Sequence, residues 1–277
     1  MPRRALGAHL YGGHVVIPVY DQNPTRRRPY VTWALIAVNI VVFLLSPVAR
    51  APLFGHASTE QLCRQQAYFL EWGAVPVELT TNRPLDYTYG HAAGQDQCFR
   101  AAPDYRKRPW LSSITGIFVH GGWLHVLGNM LFLWVFGNNV EDRFGRLGFL
   151  LFYLAVGVAS TYAFAFTQPH SPQPLVGASG AISGVLGAYL LLFPRAKVIS
   201  LVSFFFFLPL RLPAWLVLGF YFVLQAFYAA GAGLAGGGEV AYLVHVVGFL
   251  LGVAVAAAFR RRLRPPPPAR RWAPGYQ

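Results

Sequence analysis

The sequence predicts an all-α polytopic membrane protein, a bundle of six transmembrane helices. Three observations predict it. Of 277 residues, 55% are hydrophobic and only 12% charged, too apolar for a soluble domain of this length. Six apolar runs approach or exceed the roughly 18–20 residues that cross a bilayer. With six spans both termini share a side, and the charges then sort by side. The N-tail, the 137–146 loop, the 194–212 loop and the C-tail hold 16 basic residues against Asp21, Glu141 and Asp142. The opposite side holds seven basic and seven acidic residues. The whole net charge of +13 falls on one face, which the positive-inside rule makes cytoplasmic.

The elements follow in order. Residues 1–30 read as a polar cytoplasmic tail. The spans are Val31 to Val48, Leu111 to Phe136, Leu147 to Phe166, Leu175 to Phe193, Pro213 to Ala230 and Val240 to Phe259. Between the fourth and fifth, Val198 to Leu210 is apolar but short, which favours an interfacial or re-entrant segment over a seventh span. Residues 31–260 thus form one membrane domain with a 49–109 outer loop, and 261–277 is a basic, Pro/Arg-rich cytoplasmic tail. Arg26 to Arg28 and Arg260 to Arg262 abut span ends, where they anchor helices at anionic headgroups. The basic balance therefore implies a lipid bilayer partner and no nucleic acid. Cys63 and Cys98 share the outer loop; they are two free thiols or one disulfide, and the non-cytosolic side favours the disulfide.

Ser179 and His245 lie in different spans at nearly one distance from the first following charge: Arg195 comes 16 residues after Ser179, Arg260 comes 15 after His245. At 1.5 Å per residue both sit about 24 Å from the inner boundary. Glu141 comes 16 residues after His125, so a third span puts His125, and Asn129 one turn on, at similar depth. Alone, Gly177-Ala178-Ser179-Gly180 is most often helix packing, and a membrane histidine is often hydrogen-bond glue. Their shared level points instead to a site. Gly248 and Gly252 form a ridge that lets the sixth helix press on the fourth, bringing Oγ and imidazole together. His245 is then a general base for Ser179, and His125, Asn129 and the Ser179 N–H are oxyanion donors. With no acidic residue inside a span, a Ser–His dyad is the economical arrangement. The same absence counts against a carboxylate-lined channel or transporter. No metal site and no cofactor are expected, because three helical histidines without a carboxylate or cysteine hold zinc poorly.

Together, His120, His125 and Asn129, Gly177 to Gly180, and His245 with Gly248 resemble the rhomboid intramembrane serine proteases over about 110–260. The resemblance implies a six-transmembrane-helix rhomboid-like bundle open to water from the outer side, acting on transmembrane protein substrates. It implies Ser179 as nucleophile, His245 as base, and His125 with Asn129 as oxyanion donors. It also implies structural support from His120, Gly177, Gly180, Gly248 and the Glu-x-Arg of Glu141 and Arg143. Some members stack a Tyr on the catalytic His from the position held here by Ser183, so the orientation of His245 is expected to rest on another residue. The family often has Trp-Arg ahead of the second span; here Trp110 is followed by Leu111. Span five and the glycine-rich loop 231–239 form the expected gate, and a bacterial cytoplasmic membrane is the expected location. A silent member of the same fold that only binds substrate helices is the rival reading.

Overall fold

The computed structural model describes residues 16–51, 57–92, 94–203, 207–235 and 242–263. The chain is mostly helical, but it is not all-α. Val16–Asp21 (β1) pairs antiparallel with Lys197–Ser203 (β4), and β4 with Phe207–Pro213 (β5), in the order β1-β4-β5. Part of the supposed N-tail and the described parts of the short apolar segment, 198–203 and 207–210, are therefore strands of one sheet. Lys-Val-Ile-Ser-Leu-Val-Ser is rich in β-branched residues, and its sheet partner, Val16–Asp21, lies about 180 residues earlier in sequence. Asp21 is buried at the end of β1, accepting from Asn139 Nδ2 at 2.6 Å and the Asn23 N–H at 2.7 Å. Burial pushes its carboxyl up to about 6, with those bonds acting in the opposite direction.

Helices occupy all six apolar regions. Among the described residues two are long and apolar enough to cross a membrane alone, Arg146–Thr167 (α6) and Tyr242–Phe259 (α9). Tyr30–Leu45 (α1) and Ser179–Leu192 (α7) are apolar but shorter, as is the stretch Ala214–Ala230 of the longer α8, Ala214–Ala235. The second region departs from a continuous Leu111–Phe136 span. Pro109–Thr115 (α4) and a 3-10 turn, Gly116–Phe118, meet Trp123–Phe144 (α5) at 81°. The break falls at His120-Gly121-Gly122, where consecutive glycines remove the side chains that would favour helix continuation.

At its other end α5 runs through the supposed 137–146 loop and stops at Gly145, whose φ of 77° suits glycine. Glu141 and Asp142 are tolerated there because backbone donors satisfy them. Glu141 accepts from the Val31 N–H at 3.1 Å, the Thr32 N–H at 2.7 Å and the Thr32 hydroxyl at 2.8 Å. Pro29 precedes α1 and provides no capping side chain, so a carboxylate from α5 caps the α1 N-terminus and meets its positive dipole end. Asp142 accepts from the Arg26 N–H at 3.2 Å. Arg143 is buried over the Phe193 ring, 5.5 Å from its centroid.

The described residues between α1 and α4 form a structured cap. Thr59–Trp72 (α2) starts at Ser58, whose Oγ accepts from the Gln61 N–H, and Pro76–Thr81 (α3) ends at Asn82 with φ 52°. Thr88–Gly90 (β2) and Phe99–Ala101 (β3) form a small hairpin. Cys63 and Cys98 are joined by a disulfide. Where Trp-Arg is missing ahead of α4, Lys107 holds the cap. Its ammonium pairs with Glu78 at 2.6 Å and donates to the Gly73 carbonyl at 2.9 Å and to the Leu70 carbonyl. Burial lowers its pKa, and the Glu78 contact opposes that. The disulfide closes a loop of 35 residues, worth on the order of 3–4 kcal/mol in the chain-entropy model. Replacing both cysteines by Ala is expected to lower the thermal midpoint in detergent; an unchanged midpoint contradicts a stabilising role.

At the centre lies α7, with Gly180 through Tyr189 all buried. Fourteen residues give about 21 Å of helix, less than a hydrocarbon core of about 30 Å. A helix enclosed by protein need not reach both interfaces. The residues before it, 175–177, lie outside any helix. They are tied to the cap by paired Ala74–Leu175 bonds of 2.9 and 2.7 Å, and to the 3-10 turn by the Gly177 N–H donating to the Gly116 carbonyl at 2.9 Å.

Candidate active site

Each reacting candidate sits in the first turn of its described helix: His125 on α5, Ser179 on α7 and His245 on α9. Glycines decide how closely the last two approach. Cβ atoms on Gly248 and Gly252 would overlap the Gly180 and Gly184 carbonyl oxygens, and one on Gly187 the Phe249 carbonyl oxygen. Backbone therefore touches backbone along the α7–α9 seam. Gly180 sits between α6 and α9; its Cβ would stand 2.6 Å from Ser160 Oγ and 2.7 Å from Val244.

This approach sets Ser179 Oγ 2.8 Å from His245 Nε2. The other ring nitrogen, Nδ1, lies 2.7 Å from the side-chain oxygen of Gln225 on α8. An amide oxygen only accepts, so Nδ1 carries the hydrogen and Nε2 turns a lone pair to the serine hydroxyl. Gln225 went unnoticed in the sequence, although a signal was present. It is the one amide in the 214–230 apolar run, and a polar side chain in such a run is a candidate for function. Ser183, where a stacking Tyr would stand, instead bonds Tyr221 Oη at 2.9 Å. Tyr221 and Gln225 are one turn apart on α8, so a single face of that helix reaches both α7 and α9.

His125 is oriented by backbone. The Gly121 N–H donates to its Nδ1 at 3.2 Å. A backbone amide only donates, so Nε2 of His125 bears the hydrogen. A Cβ on Gly177 would stand 2.7 Å from that Nε2 and 3.7 Å from Ser179 Oγ. Gly177 also has φ 120°, so this position both requires glycine and leaves room between ring and hydroxyl. Asn129 is buried, and its Nδ2 has no hydrogen-bond partner among the described residues. His120 is buried beneath, its Nδ1 3.3 Å from the Phe118 carbonyl and its ring edge-on to His125 at 5.1 Å. Glu141 and Arg143 lie at the far end of α5, away from this cluster.

His125, Asn129, Ser179, Gln225 and His245 line one open cavity of about 950 Å³. It holds a serine hydroxyl hydrogen-bonded to an imidazole whose other nitrogen faces an amide oxygen, with further N–H groups near that hydroxyl. That constellation is suited to acyl transfer.

A family model described as Rhomboid domain matches residues 107–262. Rhomboid protease GluP of Bacillus subtilis is 46% identical over 82 residues, covering 29% of this chain and 15% of that protein. Rhomboid protein 1, mitochondrial, of Saccharomyces cerevisiae is 32% identical over 148 residues, 52% of this chain and 40% of the relative. Rhomboid-like protein 11, chloroplastic, of Arabidopsis thaliana is 30% identical over 156 residues, 52% of this chain and 50% of the relative. The chain spans half or less of the length of these relatives. Mitochondrial and chloroplastic proteins among them leave the expected bacterial membrane without support. The match over 107–262 covers more than half the chain and contains every residue of the cavity cluster, and on that ground the chain belongs to the rhomboid family of membrane-embedded, protease-like proteins.

Proposed function

We propose that this protein is an intramembrane serine endopeptidase that hydrolyses peptide bonds in or near transmembrane helices of membrane proteins, using Ser179 and His245 as a dyad. The reading includes six membrane passes, with both termini on the strongly basic side; the broken α4–α5 pair counts as one pass and the enclosed α7 as another. The observation that carries the function is the 2.8 Å contact between Ser179 Oγ and a His245 Nε2 that can only accept.

The chemistry follows from those atoms. His245 Nε2 takes the hydroxyl proton as Ser179 Oγ attacks the scissile carbonyl carbon. The carbonyl oxygen becomes an oxyanion, with the His125 Nε2–H, the Asn129 amide and the Ser179 N–H as its donors. Collapse expels the amine, which takes the proton from His245, and leaves an acyl-enzyme. Water then loses a proton to His245 and attacks the ester, and Ser179 regains its hydrogen. A helical substrate hides its peptide bonds, so residues of low helix propensity near the cleaved bond favour reaction.

The deciding experiment is cleavage of a model transmembrane substrate by purified protein in liposomes, beside labelling with a serine-directed fluorophosphonate. Cleavage together with labelling at Ser179 supports the proposal; absence of both on several substrates gives way to a silent, helix-binding member of the fold. Single substitutions His125→Ala and Asn129→Ala are each expected to lower kcat by about 10²–10³, the usual loss for one oxyanion donor. Wild-type kcat in both variants would remove these two residues from the oxyanion site.

A further inference from the structure

We propose that Gln225 is the positioning residue of the dyad, serving the role that a carboxylate serves in a three-residue triad. The inference rests on the hydrolase reading for its kinetics, but its geometry stands independently. His245 has two ring nitrogens, and only one tautomer leaves Nε2 free to accept from Ser179. The Gln225 oxygen, 2.7 Å from Nδ1, selects that tautomer and fixes the ring plane. Among the described residues Tyr242 is the other side chain of note against this ring, edge-on at 6.3 Å and without a hydrogen bond to it. Within α9 there is no second acceptor bonded to Nδ1 among the described residues, so the tautomer is set from α8.

A neutral amide suits the setting. An ionised carboxylate at this place would carry a large desolvation cost in an apolar helix bundle, whereas an amide oxygen accepts the same N–H with a smaller one. Gln225 is held in place by its own helix. Tyr221, one turn earlier, bonds Ser183 at 2.9 Å, and Phe222 packs on Phe249 with ring centroids 4.8 Å apart. These contacts seat α8 against both α7 and α9, so the amide arrives at the ring in a set position. The dyad is in this sense assembled from three helices: the nucleophile from α7, the base from α9 and the base's orientation from α8.

The test uses Gln225→Leu, which removes the acceptor at similar size, and Gln225→Glu, which keeps one. Gln225→Leu is expected to lower kcat by roughly tenfold to a hundredfold, a fraction of what general-base catalysis supplies, with KM within about threefold. Gln225→Glu is expected to recover most of that loss. Imidazole ¹⁵N spectra of detergent-solubilised protein should show the Nδ1–H tautomer of His245 in the wild type and in Gln225→Glu, and a mixture of tautomers in Gln225→Leu. Wild-type kcat in Gln225→Leu, or an unaltered tautomer in its spectrum, overturns the proposal. Because the spectrum needs no substrate, a wild type that neither cleaves nor labels would defeat the hydrolase reading while the spectrum still decides the role of Gln225.

Discussion

Ser179→Ala and His245→Ala are each expected to abolish substrate cleavage, with kcat reduced by about 10⁴–10⁶. Alanine at 179 removes the atom that forms the acyl bond; alanine at 245 leaves the hydroxyl protonated and unable to attack at neutral pH. Because the two side chains act as one unit across 2.8 Å, the double variant should be no slower than either single one. That non-additivity is the informative measurement, since two residues serving separate steps would show additive losses. Ser179→Ala, which removes one partly buried hydrogen bond, should keep the wild-type stability within about 1 kcal/mol, and His245→Ala, which removes the bonds to both Ser179 and Gln225, within about 2 kcal/mol. A Ser179→Ala protein that still cleaves would place the nucleophile elsewhere and end the dyad reading.

Gly248→Ala and Gly252→Ala are expected to have the next largest effect. In each case the added methyl overlaps a carbonyl oxygen of α7, and backbone cannot rotate away as a flexible side chain can. The helices must separate, or the seam must shift. Overpacking of this kind costs about 1–3 kcal/mol, and a displacement near 1 Å at the reacting atoms costs about a hundredfold in rate. Gly248 lies one turn below His245, so its substitution should reduce kcat more than it reduces the thermal midpoint. Gly252, a further turn away, should show the reverse weighting. Gly219 on α8 is the control, since its Cβ would meet nothing within 4 Å; Ala there should be neutral or slightly stabilising through helix propensity. Equal behaviour of Gly219→Ala and Gly248→Ala would show that the seam is not closely packed.

Hydropathy located six apolar regions, and each contains helix, because burial of an apolar run is a property of the run itself. Counting to the first charge singled out Ser179, His125 and His245, since rise per residue converts sequence distance into depth. The Ser183 substitution also indicated that something else must orient His245. The same counting could not identify Gln225, which is 20 residues from His245 and meaningful only once α8 packs on α9.

The elements that local pattern does not reveal have remote partners. β1 and β4 are each a short apolar stretch that becomes a strand by pairing across most of the chain, and neither stretch alone distinguishes strand from tail or interfacial segment. Glu141 and Asp142 read as loop residues because acids end apolar runs. They are tolerated in a helix because the amides at the start of α1 and of Arg26, more than 100 residues away, donate to their carboxylates. The sequence by itself determined the apolar segments and singled out Ser179, His125 and His245 as candidates, both of which depend on side-chain chemistry and spacing. Only the tertiary structure decided the break before α5, the capping of α1 and the tautomer of His245, because each depends on which backbone or amide atom another element brings within hydrogen-bond reach.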